Sequence, residues 1–434
     1  MRFLLLNQFF APDPAPTGQL LAGLAGFLAA SGHEVTVVCA RSTYGVPDAD
    51  HLGDSRQPLR SEATDACSPR ANGTHTSACE TRFGEFGPPS SVSVRRVWTP
   101  RFSHGVAGRL LAYAPFCSGA FWHALCGPCP DVILTMTTPP LLSLTGSLAR
   151  KLRGARHFIW EMDVYPDVAV SLGVFRSGGI AHRLAGALAL WSRRNADGII
   201  ALGPCMRDLL VEGGAPPARV HVAENWADPA RIVPAARVDD GCLELLYAGN
   251  LGLAHDLDTV ASAALRLACD TRFRFVFSGG GPLRPSLEKR CGHLPNVSVS
   301  GYVPEEAMSE HLAACDAGLV TQNPATLGTV VPSKLYALMA AARPVIFIGP
   351  AASTAALVIE RFGCGWQVDP GDVNGLIALL ELLAAKPGLM AEAGRRARAA
   401  FLEHYTLSAG VARIAFILGA ARAASRDVAV TAAS

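Results

Sequence analysis

Lysine is scarce in this sequence. Only Lys151, Lys289, Lys334 and Lys386 occur in 434 residues, so nearly all of the positive charge is arginine. Net charge is small as well. The 38 Lys+Arg against 36 Asp+Glu leave a formal +2, with no basic stripe of the kind a dedicated nucleic-acid binder carries. The expected ligand is therefore small or met at a local site, and no nucleic acid is expected. No run reaches the ~18 uninterrupted apolar residues of a membrane span. The most apolar stretch, Val106 to Leu125, is broken by Arg109, Pro115 and His123. The opening Met1-Arg2-Phe3-Leu4-Leu5-Leu6 stops at Asn7, without an export-type apolar region or cleavage site, and reads as a buried first strand. Histidines show no metal-ligand spacing and no Cys/His cluster, so no metal is expected. No G-x-G-x-x-G follows the first strand, which argues against a dinucleotide-dependent oxidoreductase.

What is present is a chain that is 50% hydrophobic and 17% charged, enough apolar surface for two domains with real cores. The 12 cysteines are scattered rather than arranged as a disulfide framework, and the reading is a soluble, reducing, cytoplasmic protein. Cys126-Gly127-Pro128-Cys129 has the spacing of a redox dithiol. Such a pair needs a strand before it and a helix start at the first Cys. Here a helix-like stretch precedes it and a strand follows, so it reads as a turn.

Short β-rich runs alternate with helix-length stretches, the pattern of βαβ units and parallel sheets. In the first half the strands are predicted at Arg2–Leu6, Val35–Cys39, Val92–Arg96, Asp131–Met136, His157–Trp160, Gly198–Leu202 and Arg219–Val222. Helices are predicted at Thr17–Ser31 and Pro140–Arg153, each followed by glycine. A Ser-, Thr-, Gly- and Pro-rich excursion at about 43–91 interrupts this half. A polar linker at 229–241 separates domain 1–228 from a second series at 242–405. That series has predicted strands Leu243–Tyr247, Arg274–Ser278, Val297–Ser300, Ala317–Val320 and Pro344–Ile348; residues 406–434 form a terminal helix and tail. The fold class is α/β: two Rossmann-like parallel-sheet domains facing each other across a cleft, with ligands beyond the carboxyl ends of the strands.

The residues with chemistry stand at those ends. Gly249, Asn250 and Gly252 follow a strand, where glycine lets backbone N–H groups approach an anion. Ser278-Gly279-Gly280-Gly281 ends the next strand. Val331-Pro332-Ser333-Lys334 opens a helix, with Ser333 at or near the N-cap. A lysine there opposes the helix dipole unless an anion occupies the same place. In an arginine-rich background it reads as a point contact to a phosphate oxygen. Gly18, in Pro16-Thr17-Gly18, either presents its N–H to that ligand or follows a simple Thr17 cap. Glu161 and Asp163, hemmed by aromatics after a strand, are candidates for holding hydroxyls or acting as a base. His255 lies just past the Gly249–Gly252 loop.

Taken together, Leu4 to Pro12 with Pro16-Thr17-Gly18, Gly32-His33-Glu34-Val35, Asn225-Trp226-Ala227-Asp228, Tyr247-Ala248-Gly249-Asn250-Leu251-Gly252 and Pro332-Ser333-Lys334-Leu335-Tyr336 resemble the family-4 retaining glycosyltransferases of the GT-B fold. The branch they resemble includes colanic-acid and O-antigen sugar transferases. The resemblance implies a nucleoside-diphosphate sugar, UDP-linked, as donor and no cofactor. Its diphosphate would meet Gly18, the loop of Gly249, Asn250 and Gly252, and Ser333 and Lys334; its base would lie near Gly301, Tyr302 and Val303, with His255 and Pro332 also on the donor side. Glu161 and Asp163 would face a glycan or lipid-linked acceptor. The sequence departs from the family where two glutamates eight positions apart are usual: Thr329 and Ala337 stand there. Asn250 and His255 match a usual Arg and Lys, and Ala342 a helix-ending Gly. The alternatives are a sugar-nucleotide epimerase and a non-catalytic nucleotide-sugar-binding scaffold. Arg95, Arg96, Arg101 and Arg109 beside Trp98 and Phe102 form a basic-aromatic stretch suited to peripheral contact with the inner face of the membrane.

Overall fold

The computed structural model describes residues 1–13, 15–41, 92–100, 106–237 and 240–420, with backbone alone over 106–112. The excursion expected at 43–91, Arg101, Phe102, the Arg109 side chain and the tail beyond Ala420 lie outside the described residues.

The first lobe runs β1 (Arg2–Leu6), α1 (Pro16–Ala30), β2 (Glu34–Ala40), β3 (Val92–Val97), α2 (Val106–Cys126), β4 (Val132–Met136) and α3 (Leu142–Arg153). It continues through β5 (Arg156–Trp160), α4 (Asp167–Ser171), α5 (Ile180–Asn195), β6 (Gly198–Ala201), α6 (Pro204–Glu212) and β7 (Val220–Val222). All seven strands are parallel, in the order β3-β2-β1-β4-β5-β6-β7. A parallel sheet is covered on both faces, which is why β1 is an unbroken apolar run. Alternate β1 side chains go to different cores. Phe3 and Leu5 pack with α1 and α6, and Leu4 and Leu6 pack with Phe116 and Ala120 of α2. On that second face α5 lies beside α3, where Ser147 and Ser192 hydroxyls meet at 2.9 Å.

The second lobe runs β8 (Leu243–Ala248), α7 (Asp258–Arg266), β9 (Phe273–Ser278), α8 (Arg284–Cys291), β10 (Val297–Ser300), α9 (Met308–Ala313) and β11 (Ala317–Thr321). Then follow α10 (Lys334–Ala340), β12 (Val345–Ile348), α11 (Thr354–Phe362), β13 (Gly365–Val368), α12 (Val373–Ala385), α13 (Pro387–His404) and α14 (Leu407–Ile417). Its parallel sheet has the order β10-β9-β8-β11-β12-β13. β13 is missing from the sequence reading. It is an edge strand, Gly-Trp-Gln-Val, and an edge position does not demand the apolar run that marks a central parallel strand.

The chain returns to the first lobe at its end. Val411 and Ile414 of α14, with Leu418 just after it, join the core under α1, and Thr406 caps α14 by accepting from Ala409 N at 3.3 Å. The lobes also meet directly. Val164 N donates to Thr329 O at 2.9 Å, Asp163 and Val330 form an antiparallel bridge, and Cys205 Sγ lies 3.0 Å from Thr354 Oγ1. Among the described residues, no single helix is long and apolar enough to cross a membrane.

Candidate functional site

In each sheet the strand order reverses beside the first strand: between β1 and β4, and between β8 and β11. Crevices at such switch points, beyond the carboxyl ends of the strands, are where open α/β sheets take ligands. The segments leaving β8 and β11 form one wall in the second lobe. The chain after β8 turns at Gly249, whose φ of 116° lies in the region open to glycine, and a Cβ there would sit 2.9 Å from Lys334 Cε. A Cβ on Gly279 would stand 1.9 Å from Gly249 O. The two glycine loops therefore stack backbone on backbone, and the lysine stem fills the space a side chain would take. This corrects one expectation: the Gly249 N–H does not face the crevice but donates to Ser278 O at 2.7 Å.

Lys334 begins α10, and its ammonium reaches back across the switch point. Nζ donates to Tyr247 Oη at 2.6 Å and to Asn250 O at 3.0 Å, and it lies 3.2 Å from His255 Nε2. It also lies 4.2 Å from the centroid of the Tyr247 ring. His255 Nδ1 is 2.8 Å from Thr321 O, and a carbonyl only accepts, so Nδ1 carries the proton and Nε2 offers its lone pair to the ammonium. Burial and the neighbouring Lys334 charge push His255 down to about 3, so it stays neutral. Burial raises the Tyr247 hydroxyl far above its usual range. Lys334 itself is lowered from 10.5 to about 7, with burial the only cause and no carboxylate contributing. When protonated it is a cation held by neutral acceptors, with no protein counter-charge among the described residues. That is costly to maintain unless an anion visits.

The flanking residues stand differently from expectation. Ser333 precedes α10 but makes no side-chain cap bond and is exposed, while Pro332 is buried. The Ser333 hydroxyl therefore does not close the helix end. Tyr302 is exposed, with its hydroxyl donating to Gly280 O at 3.2 Å, and Val303 beside it is half-buried. Tyr302 thus lies against the second glycine loop, where a Cβ on Gly280 would stand 2.8 Å from its ring. Thr329 is buried, donating its hydroxyl to Thr326 O at 2.9 Å, and Ala337 is half-buried on α10. Ala342, matched to a family glycine, has the left-handed φ of 57° that a helix-ending glycine would take.

On the first lobe, the chain leaving β5 carries Glu161 and Asp163. Glu161 is only 2% exposed and meets the Arg193 guanidinium of α5 at 2.8 Å. Arg193 also donates to Tyr165 O at 3.0 Å, so one side of Glu161 serves the turn that follows β5. Asp163 is half-buried, its backbone N–H donating to Thr137 Oγ1 at 3.2 Å after β4. Burial first, and the Glu161 charge second, raise its pKa from 3.8 to about 6. It bridges to Val330, which stands four residues before Lys334. Gly18 is buried in the first turn of α1, where a Cβ would come within 3.2 Å of the Phe9–Phe10 backbone. α1 starts at Pro16 with no side-chain cap, so Thr17 is not a cap; it accepts a long bond from Asn7 at 3.4 Å.

Sequence reasoning misses Tyr247, Thr321 and Arg193. The first two fix the lysine and the histidine, the third the acidic turn. Asn250 and His255, which depart from the resembled pattern, are two of the three groups that hold Lys334.

Residues 17–226 match the family described as Glycosyl transferase 4-like domain. The first lobe therefore carries a glycosyl transferase 4-like domain. It is 29% identical over 265 residues to the glycosyltransferase WbjE of Pseudomonas aeruginosa, covering 58% of this chain and 65% of that protein. Over 394 residues it is 25% identical to the colanic acid biosynthesis glycosyl transferase WcaI of Escherichia coli, covering 87% of this chain and 91% of the relative. In fold it is similar to Anabaena HepE, solved in complex with UDP, at 13% identity and a TM-score of 0.66, covering 97% of this chain and 100% of HepE. HepE has also been solved with UDP-glucose. The two lobes are thus those of a GT-B fold, and the glycosyl transferase 4-like domain corresponds to the lobe that carries Gly18, Glu161 and Asp163.

Proposed function

We propose that the protein transfers a hexose-type sugar from a nucleoside-diphosphate sugar, UDP-linked, to a glycan or lipid-linked acceptor, with retention of configuration and without a metal. The observation that carries this reading is Lys334. A desolvated ammonium at the switch point of the second lobe has three neutral acceptors and, among the described residues, no carboxylate. The departing diphosphate supplies the missing negative charge, and a fixed cation in a low-dielectric crevice stabilises charge as it develops. Tyr302 and Val303 flank the base, and Ser333 offers its hydroxyl to the phosphates. Asp163, ionised above pH 6, accepts a hydrogen bond from the acceptor hydroxyl and orients it toward the sugar.

The test is a donor panel incubated with purified protein, read by mass. Coupled product is expected from one donor, and Asp163→Asn is expected to lower kcat about tenfold, the scale of one hydrogen bond to a charged group. Release of free monosaccharide or an epimer favours the epimerase reading. UDP binding without turnover of any donor favours the scaffold reading.

A pH dependence follows from the lysine. Near pH 7 the empty site holds Lys334 half protonated, and an adjacent diphosphate restores the ammonium. Binding above pH 7 therefore takes up a proton, and UDP affinity is expected to fall toward about tenfold per pH unit between roughly pH 7.5 and 9. His255, at about 3, does not titrate in that window. Calorimetry in buffers of different ionisation enthalpy measures the uptake, and no proton uptake at pH 8 would contradict the assignment.

A further inference from the structure

The outer helical layer of the first lobe has inverted polarity. On α5, Ile180, Ala181, Leu184, Ala187 and Leu188 fall within an arc of ~120°. That arc faces solvent: Ile180 is 88% exposed and Leu184 61%. The opposite side of the helix, against α3, buries Ala189, Ser192 and Arg193. A surface helix of a water-facing lobe normally shows the reverse. The apolar surface continues over the neighbouring helices, with Leu152 of α3 64% exposed and Trp122 of α2 66% exposed. Side-chain contacts join the helices: Lys151 Nζ of α3 lies 4.7 Å from the Trp191 ring centroid of α5, and Arg153 at the end of α3 donates to Gly127 O just past α2, at 3.0 Å.

Charge on this layer is one-sided although the chain is balanced overall. α2, α3 and α5 contain no Asp or Glu, while α3 and α5 carry Arg150, Lys151, Arg153, Arg183 and Arg194 besides Arg193. Of the carboxylates on the connecting segments, Asp197 is neutralised by Arg150 at 2.7 Å and Glu161 by Arg193 at 2.8 Å, Asp167 lies 3.9 Å from His182 of α5, and Asp131 accepts from Arg2 N at 2.7 Å. A second copy of the chain offering the same face would meet cation with cation, which disfavours a symmetric dimer. The complement is a surface that is apolar beneath and anionic above.

We propose that this α2–α3–α5 face seats the protein on an anionic lipid bilayer. The α5 arc enters the headgroup–acyl boundary, and the flanking Arg and Lys side chains reach the lipid phosphates. This contact is distinct from the Arg95–Arg109 stretch, where Arg96 is committed to Ala11 O at 2.6 Å. It does not depend on the donor or on catalysis.

The experiment is co-sedimentation of the full chain with vesicles of phosphatidylcholine alone or mixed with phosphatidylglycerol. Binding to the anionic vesicles is expected, at least about tenfold weaker on phosphatidylcholine and weaker again in 1 M salt, where the screening length shrinks to ~3 Å. Leu184→Glu with Leu188→Glu, both at exposed positions, is expected to lower vesicle binding about tenfold or more while leaving UDP affinity and the melting temperature unchanged. Equal binding to both vesicle types, or binding that survives the double substitution, would overturn the proposal. So would a dimer in solution that the same substitutions dissolve. Because UDP affinity is read separately, failure here leaves the transfer reading standing.

Discussion

Lys334→Ala is expected to lower kcat about thirty- to a thousandfold, equivalent to about 2–4 kcal/mol of barrier, the scale of losing one preorganised charge contact. The reasoning is geometric. The chain has few lysines, and this one is placed by four devices: a glycine without a Cβ, a tyrosine hydroxyl, a carbonyl and a neutral histidine. None of them supplies negative charge. The ammonium is thus oriented before any ligand arrives, and no reorganisation is needed as the diphosphate departs. Lys334→Met is the control for packing, because it keeps an apolar stem beside Gly249 and the Tyr247 ring while deleting the charge. Both variants should lose turnover alike and melt close to the parent. Steady-state rates with the productive donor decide it, and an unchanged rate in either variant would remove Lys334 from the chemistry.

Arg193→Met should destabilise the protein by about 3–5 kcal/mol, because it strands the Glu161 carboxylate in the interior. Arg193 is 9% exposed and Glu161 2%, so water cannot take over the lost bonds. A melting temperature lower by roughly 10 °C is the expected readout. Adding Glu161→Gln should recover most of the loss, since replacing both charges of a buried pair costs far less than removing one. The pair also reaches the site. Glu161 raises the Asp163 pKa, so unscreening it should shift the acid limb of the kcat profile upward in Arg193→Met and downward in the double variant. An Arg193→Met protein that melts like its parent would show the ion pair to be dispensable.

The fold is legible in the sequence wherever burial on both faces forces a continuous apolar run, as in β1 and β12, and wherever glycine ends a helix, as at Gly154. The edge strand β13 is not legible, because its environment does not impose that pattern. Lys334 stands out through rarity and its place after Pro332-Ser333. What holds it does not, since Tyr247, Asn250 and His255 meet only when β8, β11 and α10 are brought together. The same applies to Glu161, whose partner Arg193 is 32 residues away on another helix. Ser333 shows the limit of local rules: a serine before a helix reads as a cap, yet here its hydroxyl makes no such bond. The acid-free face of α2, α3 and α5 is spread over three segments and becomes a surface only through the βαβ packing that aligns them.

The most direct measurement is a crystal structure of the protein with UDP bound. The account predicts the diphosphate at the junction of the Gly249–Gly252 loop and the start of α10, with a phosphate oxygen within hydrogen-bond distance of Lys334 Nζ. UDP seated elsewhere, with Nζ still bonded to Tyr247 Oη, Asn250 O and His255 Nε2 and no phosphate beside it, would contradict it.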